Sequence, residues 1–95
     1  MSYQEFAINK VLAEVLAEVV RAGDLHPPHH SLPETLGVLM LEIGEATAAI
    51  HARDVCHAET ELLQCAAVCV RGVMASRARR AAETPLNRHA EGEAS

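Results

Sequence analysis

The stretch Val38-Leu-Met-Leu-Glu-Ile-Gly-Glu-Ala46 places two carboxylates in an otherwise apolar run. Just upstream, Ser31-Leu-Pro-Glu34 has the form of a capping box, with its proline in the first turn, where no backbone donor is needed. The sequence therefore predicts a helix that begins after the serine and runs to about His51 or Ala52.

Two further helices are predicted on either side of this one. The first spans about Tyr3 to Ala22, because apolar residues recur there at 3.6-residue spacing and Gly23 is a plausible stop. The third begins around His57 or Ala58 and continues to about Ala82, with Gly72 as a weak point inside it. The double proline Pro27-Pro28 makes the segment between the first two helices an extended connector.

Length and composition restrict the fold class. The 95 residues allow one domain, and 49% hydrophobic with 22% charged residues is a globular composition without the alternation of an all-β fold. The prediction is an all-α domain over residues 1–83, with three long helices in an antiparallel bundle. Residues 84–95 are expected to be a disordered tail. A chain this short buries a thin core, so homo-oligomerisation is expected to complete the bundle.

Charge and cysteine usage restrict the partners. The net charge is −5, and between Arg21 and Arg71 the only basic residue is Arg53, set against seven acids, which disfavours binding to duplex nucleic acid. No apolar run approaches the roughly 18 residues of a membrane span. Three cysteines form no disulfide framework and no signal-peptide pattern precedes them, so a cytoplasmic protein with reduced thiols is expected.

The carboxylates carry the chemistry. Residues three apart on a helix share a face, so Glu42 and Glu45 point the same way from the second helix. Glu61 and Gln64 repeat that spacing at the start of an apolar run on the third helix. If the two helices pack antiparallel, four oxygen-bearing side chains converge, which is the donor set that Mg²⁺ prefers. The alternative is two ordinary solvated helix faces, since either pair alone is common.

The order Glu42-x-x-Glu45, fifteen residues, then Glu61-x-x-Gln64 resembles the E-x-x-E…E-x-x-D signature of MazG-like nucleoside triphosphate pyrophosphohydrolases, and the similarity covers roughly residues 5–75. The resemblance implies an all-α fold that assembles as a homodimer or homotetramer, with helices grouped in a four-helix bundle. It also implies Mg²⁺, with Mn²⁺ as a possible substitute, held at these four positions. The implied activity is hydrolysis of a nucleoside triphosphate to the monophosphate and pyrophosphate, a house-cleaning function for the nucleotide pool.

Within that resemblance, Glu42 or Glu45 is the candidate base for the attacking water, and Arg71 is a candidate contact to the substrate phosphates. Leu41 stands where many relatives have a further Glu, and Gln64 stands where the full signature has Asp. These two departures keep a second hypothesis open, a non-catalytic MazG-like interaction module with a degenerate metal site.

Other residues allow weaker readings. Four arginines of the third helix either neutralise the charge of substrate phosphates or interact favourably with the negative end of the helix dipole: Arg71, Arg77, Arg79 and Arg80. The loop histidines are read as turn residues with solvated rings, although base stacking or phosphate contact is open to them: His26, His29 and His30. Cys65 and Cys69 are read as small buried hydrophobes. A transition-metal protein that uses the histidines and cysteines is the third hypothesis.

Overall fold

The computed structural model describes residues 1–83, which form three α-helices: α1 (Tyr3–Leu25), α2 (Leu32–His51) and α3 (Val55–Glu83). No strand occurs among these residues, so the all-α prediction is confirmed. The tail predicted for residues 84–95 lies outside the described residues. Within residues 1–83, no helix combines the length and apolar character that a membrane span requires.

Helix α1 begins at a serine cap and ends at a proline. The hydroxyl of Ser2 accepts from the backbone N–H of Glu5 at 3.1 Å. The predicted stop at Gly23 is wrong, because the helix continues through it to Leu25. His26, the next residue, is extended with φ −134° and ψ 145°. Since a residue before proline is forced out of the helical region, Pro27 rather than the glycine ends the helix.

Helix α2 begins where the capping box predicts. The hydroxyl of Ser31 accepts from the backbone N–H of Glu34 at 3.1 Å, and Pro33 lies in the first turn. The reciprocal contact is displaced by one residue, because a carboxylate oxygen of Glu34 accepts from the N–H of His30 at 3.3 Å instead of from that of the cap. The cap and its acidic partner therefore both anchor the start of this helix.

A tight link joins α2 to α3. Arg53 has a positive φ of 59° and donates to the carbonyl of Ile50 at 3.0 Å, while Asp54 N–H donates to the carbonyl of Ala49 at 3.1 Å. This pair of bonds is a Schellman motif, which satisfies the last carbonyls of α2. Asp54 then caps α3, because its carboxylate accepts from the N–H of His57 at 3.1 Å. That cap explains why α3 begins at Val55, earlier than predicted.

Helix α3 packs against both α1 and α2, whereas α1 and α2 have no close backbone contact with each other in residues 1–83. The buried apolar side chains are almost all alanine, which lets the helix backbones approach closely: Ala22, Ala46, Ala49, Ala58, Ala67, Val68 and Ala75. The predicted thin core is confirmed. Larger apolar side chains stay exposed on all three helices, among them Leu16, Met40 and Met74.

The connector between α1 and α2 is fastened to α3. Arg71 donates through Nη2 to the carbonyl of Pro27 at 3.0 Å and to that of His26 at 3.3 Å. Arg79 donates to the carbonyl of His29 at 2.6 Å. Gly72 lies against Thr35 of α2. The predicted weak point of α3 is therefore a contact between two helices, and α3 is continuous through it.

Candidate metal centre

Three carboxylates meet where α2 packs on α3. Glu42 and Glu45 lie one turn apart on α2, and Glu61 lies in the N-terminal half of α3. Each of the three offers a carboxylate oxygen, and these oxygens all lie within 4.8 Å of one another. Carboxylate oxygens at this separation can share one hard divalent cation, because Mg²⁺ takes oxygen ligands at about 2.0–2.1 Å.

The three carboxylates differ in their exposure to solvent. Glu61 is buried, with 7% of its surface exposed, whereas Glu42 is partly buried and Glu45 is exposed. Burial, followed by the charges of Glu45 and Glu61, raises the pKa of Glu42 from 4.5 to about 6. A cation bound between the carboxylates would remove this repulsion, since it supplies the opposite charge.

Gln64 completes the cluster from α3. In the amide orientation that satisfies its hydrogen bonds, its nitrogen donates to Glu61 Oε2 at 3.0 Å and to Glu42 Oε2 at 3.1 Å. The amide therefore bridges the two helices and offsets part of the carboxylate repulsion. Rotation of the amide by about 180° would turn its oxygen to the same place, so Gln64 can act either as a hydrogen-bond donor or as a neutral oxygen ligand.

Asp54, in the α2–α3 link, and His57, in the first turn of α3, extend the site outward. His57 Nε2 lies 3.0 Å from Glu61 Oε1, and its Nδ1 lies 4.0 Å from a carboxylate oxygen of Asp54. The carboxylate motifs alone do not point to His57 as a neighbour of the cluster. Its spacing of four residues from Glu61 is a signal that the sequence does contain, because residues i and i+4 of a helix are neighbours.

A groove of about 370 Å³ adjoins the cluster between the three helices. Glu42 and Gln64 reach it from the cluster, Arg71 lines it from α3, and Glu18 and Arg21 line it from α1. Arg21 forms a salt bridge with Glu18, and this contact, with a smaller contribution from Glu42, raises the pKa of the Arg21 guanidinium. The groove thus combines carboxylates with two guanidinium groups. Arg71 is the predicted phosphate contact, whereas no motif pointed to Arg21.

The connector histidine His29 and the three cysteines are not part of the carboxylate cluster. His29 is buried, with 6% exposure, and its Nδ1 lies 2.6 Å from Thr35 Oγ1, so the expected solvated ring is wrong for this histidine. The reason is that the connector folds onto α3; the resulting desolvation lowers the pKa of His29. Burial, followed by the charge of Glu42, raises the pKa of the Cys65 thiol, which disfavours a thiolate ligand. Cys56 and Cys69 are exposed and free, so the expected burial is wrong for Cys69.

No protein-family profile, curated protein or solved structure matches this chain. The site is therefore interpreted from its own geometry. Its donor set is three carboxylates and one amide at the junction of two helices, next to a groove that carries two arginines. Such a set suits a hard cation and an anionic ligand beside it.

Proposed function

We propose that the protein is a Mg²⁺-dependent nucleoside triphosphate pyrophosphohydrolase of the MazG-like type. The observation that carries the proposal is the convergence of carboxylate oxygens of Glu42, Glu45 and Glu61 within 4.8 Å, with Glu42 also lining the groove. Three carboxylates held this close are costly without a cation, as the raised pKa of Glu42 reflects. The resemblance of the sequence motifs then selects nucleotide hydrolysis among the reactions that magnesium sites serve.

In this proposal the chain holds the ion and the substrate with separate groups. Glu42, Glu45 and Glu61 are the charged ligands, and Gln64 adds its amide oxygen. Magnesium, or manganese in its place, would neutralise phosphate charge and lower the pKa of a coordinated water. Glu45, the exposed carboxylate of the three, is the candidate base for that water, with Glu42 as the alternative. Arg71 lines the groove that Glu42 also lines, and it is the candidate contact to the phosphates.

We further propose that two or four copies complete an antiparallel helical bundle. Five large apolar side chains of α1 are each about half exposed or more: Ile8, Val11, Leu12, Leu16 and Val20. Helices from a second copy are the simplest cover for such a surface. A homodimer or homotetramer acting on free nucleotides in the cytoplasm fits this description.

The test is a panel of ribonucleoside and deoxyribonucleoside triphosphates, with Mg²⁺ and with Mn²⁺, in which pyrophosphate release is measured. We expect at least one nucleotide to be hydrolysed and chelator to abolish the reaction. Glu61→Gln should remove the activity, whereas Glu59→Gln, on an exposed part of the same helix, should retain it. Absence of turnover across the panel would reject the enzymatic proposal.

A second candidate is a non-catalytic interaction module built on the same bundle. Two observations favour it: Gln64 brings no charge to the site, and large apolar side chains remain exposed on every helix. An absence of pyrophosphate release together with a stable oligomer would support this candidate. Zn²⁺ binding that survives removal of the three glutamates would instead support the transition-metal hypothesis.

A further inference from the structure

The two oxygens of the Glu61 carboxylate have different partners. Oε1 lies 3.0 Å from His57 Nε2, toward the α2–α3 link. Oε2 lies 3.0 Å from the Gln64 amide nitrogen, which also reaches Glu42 Oε2. One oxygen is therefore engaged outside the cluster, and the other is turned into it.

The direction of the His57 contact follows from the chemistry of its partner. An ionised carboxylate only accepts hydrogen bonds, so the proton of this contact must be on His57 Nε2. The backbone of the same residue is fixed as well, because its N–H donates to the carboxylate of Asp54 at 3.1 Å in the α3 cap. The imidazole is thus attached to an anchored turn of the helix, directly beside the site.

We propose that His57 is a positioning residue, which holds the Glu61 carboxylate through Oε1 so that Oε2 faces the metal. The inference rests on the proposed function, since it assigns a partner to one of the proposed ligands. Carboxylates and histidines that bind metals are oriented in this way by hydrogen bonds from outside the ligand shell. Glu61 suits the role, because it is the buried carboxylate of the three and its rotation would cost more than that of an exposed one.

An ordinary surface pair would have a different signature. Exposed ion pairs four residues apart on a helix contribute little to stability and do not affect a cation site. Here Glu61 is buried and faces the other carboxylates, while the His57 side chain is 55% exposed. Loss of the imidazole should therefore change metal affinity much more than it changes folding.

The experiment is calorimetric titration of the full chain with Mg²⁺, at a pH well above the Glu42 pKa of about 6. His57→Leu removes the donor, and we expect the Mg²⁺ Kd to rise about 10- to 100-fold. His57→Gln keeps an N–H donor at a similar reach and should restore an affinity close to that of the wild type. His51→Leu, which removes an exposed histidine at the end of α2, is the matched control and should leave the affinity unchanged.

Thermal melts in chelator distinguish positioning from folding, and His57→Ala is the second donor-free variant if the leucine variant does not fold. An unchanged Kd in the donor-free variants, with binding intact in the wild type, would overturn the role of His57 and leave the metal site standing. Equal losses in His57→Leu and His57→Gln would overturn it too, because the donor is present in the second. If the wild type itself binds no Mg²⁺, the proposed function and this inference fail together.

Discussion

Thr35 of α2 fills the space beside Gly72 of α3. A Cβ atom on this glycine would lie 2.9 Å from Thr35 Oγ1 and closer still to its Cγ2, which is nearer than real atoms pack. Thr35 cannot readily move away, because its hydroxyl is 2.6 Å from Nδ1 of the buried His29. A single missing side chain therefore allows α2, α3 and the connector to meet.

Gly72→Ala is expected to destabilise the protein. Overpacking costs roughly 1–3 kcal/mol, and the better helix propensity of alanine returns about 1 kcal/mol. With Thr35 held in place we expect the larger cost to apply, so the net loss in the free energy of unfolding, measured by urea denaturation, should approach about 2 kcal/mol. Gly37→Ala is the control. No atom lies within 4 Å of its Cβ position, so it should stabilise α2 by about 0.5–1 kcal/mol. A shift of the same sign in both variants would contradict the contact.

Glu42 should make the metal-free protein less stable as the pH rises. Its pKa is raised from 4.5 to about 6 on folding. Below about pH 4.5 the carboxyl is protonated in both states and has no effect. As the pH rises from about 4.5 to about 6, the carboxyl ionises in the unfolded chain before it does so in the folded one, so stability is lost over this range and the loss is complete above it. At 1.36 kcal/mol per pKa unit the loss is about 2 kcal/mol at most, and partial solvation of the side chain reduces it.

The measurement is a pair of melts in chelator, at about pH 4 and about pH 8, for the wild type and Glu42→Gln. The variant should be the more stable protein by about 1–2 kcal/mol at the higher pH and nearly equal to the wild type at the lower. Glu59→Gln, at an exposed position of α3, should differ little from the wild type at either pH. A difference that does not change with pH would show that Glu42 is not destabilised by its neighbours.

Gln64→Asp should exchange stability of the metal-free protein for metal affinity. The substitution removes the amide donor shared by Glu42 and Glu61 and adds a fourth charge, which should cost roughly 1–3 kcal/mol in chelator. A charged oxygen also binds Mg²⁺ better than an amide does. The rise in melting temperature on adding Mg²⁺ should therefore exceed that of the wild type. Asn9→Asp, which also replaces an amide by a carboxylate but at an exposed site on α1, should show no such dependence on Mg²⁺.

The proposed assembly predicts a mass above that of one chain. The exposed apolar side chains of α1 should be covered by another copy, so light scattering at low micromolar concentration should give at least twice 10.2 kDa. Leu16→Glu, at one of these positions, should lower the mass or the concentration at which the oligomer persists. Asn9→Asp, also exposed on α1, should not. A folded monomer of the wild type at this concentration would reject the assembly.

The helices could be predicted from the residues alone, because the signals that form them are local. The Ser31 cap acts within one turn, and the apolar period and the i, i+3 carboxylate pairs follow from helix geometry alone. The two helix boundaries that were predicted wrongly also depend on local signals. Pro27 overrode the stop expected at Gly23, and the cap at Asp54 started α3 earlier than its apolar period indicated. The spacing of four residues between His57 and Glu61 is a local signal of the same kind, because it places both side chains on one face of α3.

Which of these local features come into contact depends on how the helices pack. Glu42 and Glu61 come together because buried alanines let α2 approach α3, and residue periodicity cannot specify that distance. The burial of His29 depends on Thr35 and on Arg79, fifty residues away. Arg71, forty-four residues from Pro27, holds the connector while it lines the groove. Hydrogen bonds over such separations depend on how whole helices pack, since a one-dimensional pattern records the face of a helix but not the neighbour that the face will contact.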